Sequence, residues 1–177
     1  EDTLKEYRCA ECIRYAVDNG ADIINWSGTL SNDTSAYSRQ IISEAFQYAN
    51  DHNVLIVLAV GMQNRNMDTP DFKDIPASLQ FSNLIKVTEL DLMGNLYTYQ
   101  FKDGRTNRSN YGKETVDIGV PATTFTASVY HSLSVYGIFG GTSGSAPVIT
   151  GLAALMLDID PDLKPHEIRT IINEQAN

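Results

Sequence analysis

The sequence predicts an α/β fold of three layers, α/β/α, with a mainly parallel sheet between two layers of helices. Helical and strand patterns alternate along the first third of the chain, as they do in right-handed βαβ units. Residues 54–60 are continuously apolar and rich in β-branched side chains, which is typical of a strand covered on both faces. A Gly- and Ser-rich segment, residues 140–147, leads into a helix that is apolar on all sides, which predicts a buried central helix.

The first part of the chain supplies two helices and two strands of this fold. A helix is predicted over residues 4–18, because Asn19 and Gly20 end it, and a short strand follows over residues 21–27. The polar residues 31–35 offer N-caps for a second helix over residues 37–51. The apolar stripe of that helix comprises Ile41, Ile42, Ala45, Phe46 and Ala49.

The second part of the chain is predicted to contain short strands and then two helices. A polar loop over residues 61–76 precedes strands at 84–88 and 96–101, with turns at 94–95 and 103–104. A strand over residues 116–120 ends at Pro121. The central helix covers residues 143–157, and an amphipathic helix over 165–174 uses Ile168, Ile171 and Ile172 as its apolar face.

Composition excludes several classes of protein. Thirteen Lys and Arg residues against 22 Asp and Glu give a net charge of −9, which argues against a nucleic-acid-binding surface. With 42% apolar residues the chain has the composition of an ordinary globular domain, and no uninterrupted apolar run is long enough to predict a membrane segment. The chain opens on charged, helix-forming residues without an initiator Met, so we expect it to begin inside a longer protein.

The two cysteines, Cys9 and Cys12, form a C-x-x-C pair. Such a pair is compatible with a redox centre or with half of a zinc site, but no second ligand pair accompanies it. Because Cys9, Cys12, Ile13 and Ala16 fall on one helical face, we predict that both thiols pack in the core.

The segment most informative about function runs from Gly140 to Pro147. A Ser at the first turn of a helix lies where free N–H groups favour negative charge, and its own N–H can donate to an oxyanion. Ser143 is therefore a candidate nucleophile. Spacing alone leaves open the alternative that Ser143 only caps the helix.

Residues 141–151, GTSGSAPVITG, resemble the nucleophile motif of the subtilisin-like serine proteases, G-T-S-x-[SA]-[AT]-P-x-[VI]-x-G. Gly144 stands where that family usually has Met. Residues 16–25, 54–61, 109–121 and 160–168 match further family segments in the family's order, so the resemblance extends over nearly the whole chain. It implies a subtilisin-like fold and hydrolysis of peptide bonds through an acyl-enzyme on Ser143. It also implies a P1 pocket whose walls are Trp26, Ser27 and Gly28 on one side and Ala59, Val60 and Gly61 on the other.

The family's catalytic Asp and His motifs, D-[ST]-G and H-G-T-H, do not occur in these 177 residues. His52, His131 and His166 lack the family context and are predicted to lie at the surface. Residues 1–177 are therefore expected to be the C-terminal portion of one catalytic domain, inactive alone, with Asp and His supplied by an upstream segment.

Two substitutions depart from the family pattern near the reacting atoms. The family's oxyanion loop reads A-x-G-N, and its Asn donates to the oxyanion, whereas this chain has Met62, which cannot donate. Either Gln63 or Asn64 replaces the donor, or the oxyanion hole lacks one. Thr29 stands where the family has a Gly that lets the substrate backbone pair as a strand.

No cofactor is expected. Calcium sites occur in the family, but the carboxylates at residues 158, 160 and 162 do not continue into an EF-hand, and no other ligand set is found. The resemblance implies a protein or peptide substrate, an interaction with a propeptide or an N-terminal segment of the same protein, and a secreted or extracytoplasmic location.

Three functions are compatible with this reading. The first is an active serine endopeptidase. The second, favoured by Met62, Thr29 and the missing Asp and His, is a degenerate pseudoprotease that acts as a binding or regulatory module. The third is an acyltransferase that passes the same acyl-enzyme to an amine, and product analysis would distinguish it from a hydrolase.

Overall fold

A computed structural model describes residues 2–30, 35–121, 125–128 and 136–176. Its helices are α1 (Asp2–Asp18), α2 (Ala36–Asp51), α3 (Thr142–Ile159) and α4 (Pro165–Gln175). Its strands, in chain order, are β1 (Ile23–Trp26), β2 (Leu55–Ala59), β3 (Leu84–Glu89), β4 (Thr98–Gln100), β5 (Thr106–Arg108), β6 (Ile118–Val120), β7 (Phe125–Ser128) and β8 (Tyr136–Phe139).

Four strands form the main sheet in the order β1-β2-β3-β6, and all of its pairs are parallel. All five residues of β2 and all six of β3 are buried, because apolar layers cover both faces of the sheet. One core lies between the sheet and α1 and α2, and the other lies between the sheet and α3 and α4. The predicted three-layer α/β/α architecture is confirmed.

The predicted helices form within two residues of their expected ends. Ser35 caps α2 by accepting a hydrogen bond from the Ser38 N–H at 3.1 Å. The stripe of α2 is confirmed, with Ile41 half-buried and the other four residues buried. In α4, Ile168 and Ile172 are buried, but the prediction for Ile171 is wrong, since it is 40% exposed.

The prediction that α3 is buried on all sides is wrong. Leu152, Leu155 and Ile159 expose 43%, 65% and 84% of their surface, because no element in the described part of the chain packs on that side of the helix. The opposite side of α3 packs against the main sheet. The helix is long and apolar enough to cross a membrane by length and composition, a test that the core helix of a globular protein also passes.

The prediction for Cys12 is also wrong. Cys9 is half-buried against the core, whereas Cys12 is exposed and lines a surface cavity of about 450 Å³ between α1 and β1. Burial raises the pKa of the Cys9 thiol, which lowers the fraction present as the reactive thiolate.

Two small antiparallel sheets complete the fold. The predicted strand at 96–101 is the first arm of a hairpin, in which β4 pairs with β5 around the predicted turn at 103–104. The pair β7–β8 was not predicted from the sequence. His52 and His166 are exposed, as predicted, and His131 lies outside the described residues.

Candidate functional site

The candidate site lies at the carboxyl ends of β1 and β2, where they meet the amino end of α3. Ser27 follows β1 directly, and Val60 and Gly61 follow β2. In a parallel sheet these strand ends lie at one edge, which is where such folds bind their ligands. The structure therefore brings together Ser143 and the segments predicted to line the P1 pocket.

Two reciprocal hydrogen bonds join Ser143 to Ser27. The Ser143 hydroxyl donates to the Ser27 carbonyl at 3.0 Å, and the Ser27 hydroxyl donates to the Ser143 carbonyl at 3.1 Å. Inside a helix the Ser143 carbonyl would accept the N–H of residue 147, but that residue is Pro147, which has none. The Ser27 hydroxyl supplies the missing donor and is itself bonded by the Asn25 amide at 2.9 Å.

The turn before Ser143 depends on Gly141, which caps α3 with φ of +82°. A side chain is disfavoured at this φ, so glycine suits the position. One residue later, the Thr142 hydroxyl accepts the Gly61 N–H at 3.1 Å and links α3 to the loop that follows β2. The Ser143 N–H has no acceptor within the described part of the chain, as expected in the first turn of a helix.

Of the three residues predicted for the oxyanion loop, Met62 is the one whose side chain reaches this turn. Its sulfur lies 3.0 Å from the position that a Cβ on Gly141 would occupy. Gln63 folds the other way, and its Oε1 accepts a hydrogen bond from the Asn110 amide at 2.7 Å. Asn64 is exposed, has φ of 54°, and donates its backbone N–H to the Arg108 carbonyl at 2.9 Å.

The two predicted walls of the P1 pocket face each other. Gly61 has close neighbours on both sides. A Cβ placed on it would lie 3.3 Å from the methyl group of Thr29 and 2.6 Å from Gln63 Oε1. On the first wall the Trp26 indole donates to the Gly28 carbonyl and packs edge-on against Phe46, with ring centroids 5.5 Å apart. Ala59 and Val60 of the second wall are fully buried.

A cavity of about 420 Å³, separate from the one beside Cys12, lies next to Met62 and Gly141. Its walls comprise Met62, Tyr97, Tyr99, Phe101, Asn107, Gly140 and Gly141. The β4–β5 hairpin supplies the aromatic wall, where Tyr99 and Phe101 stack edge-on with centroids 4.8 Å apart. This cavity was not foreseen, because the aromatic residues and Met62 are far apart in sequence.

The long loop over residues 61–76 is held by polar side chains. Arg65 forms a part-buried ion pair with Asp74 at 3.0 Å. The Asp68 carboxylate accepts the Thr115 hydroxyl at 2.6 Å and the Thr115 N–H at 3.0 Å. The pKa of Asp68 is lowered mainly by the hydrogen bond from the Thr115 hydroxyl, and backbone N–H donors lower it further.

Comparisons with known proteins agree with this geometry. The family model described as "Subtilase family" matches residues 1–177. Fervidolysin of Fervidobacterium pennivorans is 29% identical, over 93% of this chain and 23% of its own length. Thermitase of Thermoactinomyces vulgaris is 31% identical, over 83% of this chain and 44% of its own length.

A solved structure described as a cold adapted subtilisin-like serine proteinase has the same fold, with a TM-score of 0.71 and 23% identity. The match covers 94% of this chain and 53% of that one. The chain thus spans about half of the solved structure and less than half of these two relatives. On the family match over its full length, this chain belongs to the subtilase family of serine proteases.

Proposed function

We propose that the whole protein is a serine endopeptidase in which Ser143 forms the acyl-enzyme. The observation that carries the proposal is the placing of Ser143 at the first turn of α3, against the Ser27 segment and beside the loop after β2. Ser143 Oγ attacks the peptide carbonyl carbon, and its proton passes through a base to the departing amine. Water then cleaves the ester and restores the Ser143 hydroxyl.

We infer that the base comes from an upstream segment of the protein, as the family resemblance implies. Within the described residues the Ser143 hydroxyl donates only to a carbonyl, which cannot act as a general base. His52 caps the end of α2 and His166 lies in α4, so neither neighbours Ser143. We expect residues 1–177 alone to be inactive.

The same reasoning makes residues 1–177 the C-terminal portion of a single peptidase domain. Two features support this. Strand β1 pairs only with β2 in the described structure, and an apolar face of α3 is exposed. An upstream segment that carries the Asp and His would extend the sheet and cover that face.

A pseudoprotease is the second candidate function, and the position of Met62 favours it. If the thioether occupies the place of the oxyanion donor, the Ser143 N–H is left as the main donor to the developing charge. A domain with one donor retains a peptide-binding cleft but hydrolyses slowly, which suits a binding or regulatory role.

The partners follow from the proposed reaction. The substrate is a protein or peptide, and a propeptide or upstream segment of the same protein is a further partner. An extracytoplasmic location is proposed from the family alone. Acyl transfer through Ser143 requires no cofactor, and calcium, if bound, would have a structural role.

A fluorophosphonate probe, which reacts with activated serines, tests the proposed function in the whole protein. We expect the wild type to be labelled and Ser143→Ala to lose all labelling. Ser145→Ala is the matched control, because its buried hydroxyl donates to the Val120 carbonyl at 3.0 Å and should not react. A whole protein that resists the probe while Ser143 is accessible would establish the pseudoprotease instead.

A further inference from the structure

Asn110 is a fully buried polar residue, 0% exposed, for which the reaction described above has no role. Its amide group makes four hydrogen bonds. Nδ2 donates to the Val60 carbonyl and to Gln63 Oε1, both at 2.7 Å. Oδ1 accepts the Gln63 and Arg65 N–H groups, both at 3.0 Å. The hydrogen-bonding capacity of the amide is thus used entirely on residues 60–65.

The backbone of Asn110 adds two further bonds. Its N–H donates to the Gly61 carbonyl at 2.9 Å, and its carbonyl accepts the Thr88 hydroxyl at 2.6 Å. Five of the six bonds therefore end on the loop after β2, and the sixth joins Asn110 to the fully buried strand β3. Asn110 therefore connects the loop to a strand that is buried along its whole length.

The loop over residues 60–65 needs such a partner because it has no regular structure of its own. Gly61 and Asn64 have positive φ angles, of +90° and 54°. Val60 and Gly61, the buried residues of this loop, must find other partners for the polar backbone groups that no helix or sheet bond satisfies. Without the Asn110 side chain, the Val60 carbonyl and the Gln63 and Arg65 N–H groups would lose the partners described above.

The same loop contacts the turn that precedes Ser143. Gly61 is bonded to Thr142, the residue before the nucleophile, and Met62 lies against Gly141. A shift of the loop would change the distance between residue 62 and the Ser143 N–H. Small displacements of such groups have large effects on rate, because stabilisation of the transition state depends on preorganised geometry.

We propose that Asn110 is a positioning residue, whose side-chain amide holds the loop of residues 60–65 in the geometry required for acyl transfer to Ser143. The proposal rests on the proposed function for its effect on rate. Its structural part, that the amide determines the conformation of the loop, stands independently of catalysis.

The test compares Asn110→Ala with Asn83→Ala in the whole protein. Asn83 is a matched control, because it is also buried, at 2% exposure, and its amide also donates to a backbone carbonyl, that of Val54 just before β2, at 2.7 Å. It precedes β3, at the edge of the sheet opposite the site. Loss of either amide removes buried hydrogen bonds, so both variants should be destabilised.

Two readouts separate positioning from general stability. For Asn110→Ala we expect kcat on a peptide substrate to fall at least tenfold, with KM changed less than threefold, while Asn83→Ala retains kcat within twofold. In hydrogen-exchange measurements, the amides of residues 61–66 should exchange at least tenfold faster in Asn110→Ala than in the wild type. Their exchange rates should be unchanged in Asn83→Ala. If Asn110→Ala does not fold, Asn110→Ser takes its place, since its shorter side chain cannot span the same partners.

The proposal is overturned if loop exchange is unchanged in the Asn110 variant, or if both variants lose kcat equally. A wild-type protein that hydrolyses nothing and resists the fluorophosphonate contradicts the proposed function. In that case the exchange data still decide whether Asn110 holds the loop.

Discussion

Met62 stands where the family's oxyanion-loop motif has an Asn, which changes the chemistry available at that position. The Met62 thioether, which lies against Gly141, cannot donate a hydrogen bond to the oxyanion. Loss of one such donor costs about 10²–10³ in rate. We predict that Met62→Asn in the whole protein raises kcat at least tenfold, or roughly 1.4 kcal/mol in activation free energy. The measurement is the turnover of one peptide substrate.

Three further variants complete that experiment. Met62→Leu is the control, because it keeps an apolar side chain and adds no donor, so its rate should stay near wild type. A lower rate in Gln63→Ala or Asn64→Ala, with no gain in Met62→Asn, would place the donor on the altered residue. If none of Met62→Asn, Gln63→Ala and Asn64→Ala changes the rate, the assignment of residue 62 to the oxyanion loop is wrong.

Lys86 is a charged residue in the middle of the sheet, with 2% exposure, and its Nζ has no hydrogen-bond partner among the residues that the structure describes. Burial lowers its pKa from 10.5 to about 8, with Asp117 acting in the opposite direction. Between these two pH values the unfolded chain binds more protons than the folded one, so the free energy of unfolding rises with pH.

We predict that Lys86→Met stabilises the whole protein at pH 7 by up to about 3 kcal/mol, because the buried charge is removed. The difference from wild type should shrink as pH rises from 8 to 10.5 and Lys86 loses its proton. Urea denaturation at pH 7, 9 and 10 measures this. The exposed Lys102→Met serves as the control and should change stability little at any of these values; a constant Lys86 difference would contradict the prediction.

For individual residues, the sequence indicates which side chains are important but not which groups they contact in the fold. Ser143 was identified by its motif and position in a helix. Asn110 was noticed only as part of a family motif, because the loop residues that its side chain binds lie 45–50 positions away in sequence. For Cys12, helical periodicity gave the correct face but could not tell where the covered part of that face ends.

Among the elements, the helices, the main-sheet strands and β4 were predicted, whereas β5, β7 and β8 were not. Strands β2 and β3 are buried throughout, so their composition alone indicates them. Strand β5 is exposed at all three residues, and its backbone pairing with β4 leaves no periodic apolar signal. The apolar residues of α3 predicted burial correctly only for the side that meets the sheet, because composition does not reveal which neighbour covers each side.

The exposed apolar face of α3 leads to a prediction about stability. If an upstream segment covers it, Leu155→Ala should destabilise the whole protein by about 2–5 kcal/mol, as expected for a core leucine. Leu92→Ala is the control, since Leu92 is 73% exposed in a surface turn and should change stability little. Urea denaturation of the whole protein measures both variants. A Leu155→Ala effect as small as that of Leu92→Ala would mean that this face stays solvated.

For the whole molecule, an open sheet edge and an apolar helix face predict poor behaviour of the isolated chain. Strand β1 offers unpaired backbone groups to other copies, and the α3 face adds apolar area. We predict that residues 1–177 expressed alone form oligomers or aggregates in light-scattering measurements. A monomeric fragment that melts cooperatively would contradict both this prediction and the proposed division of the domain.

The pairing of Ser27 with Ser143 has a consequence for how the molecule moves. Since Pro147 removes one helical bond, the first turn of α3 is joined to the end of β1 by hydroxyl bonds and is less firmly joined to the turn after it. In small thermal displacements Ser143 should therefore travel with the end of β1. If Ser143 is the nucleophile and the Ser27 segment lines the substrate pocket, as proposed, the attacking oxygen and the bound peptide shift together. Their alignment then survives motions that bend the helix.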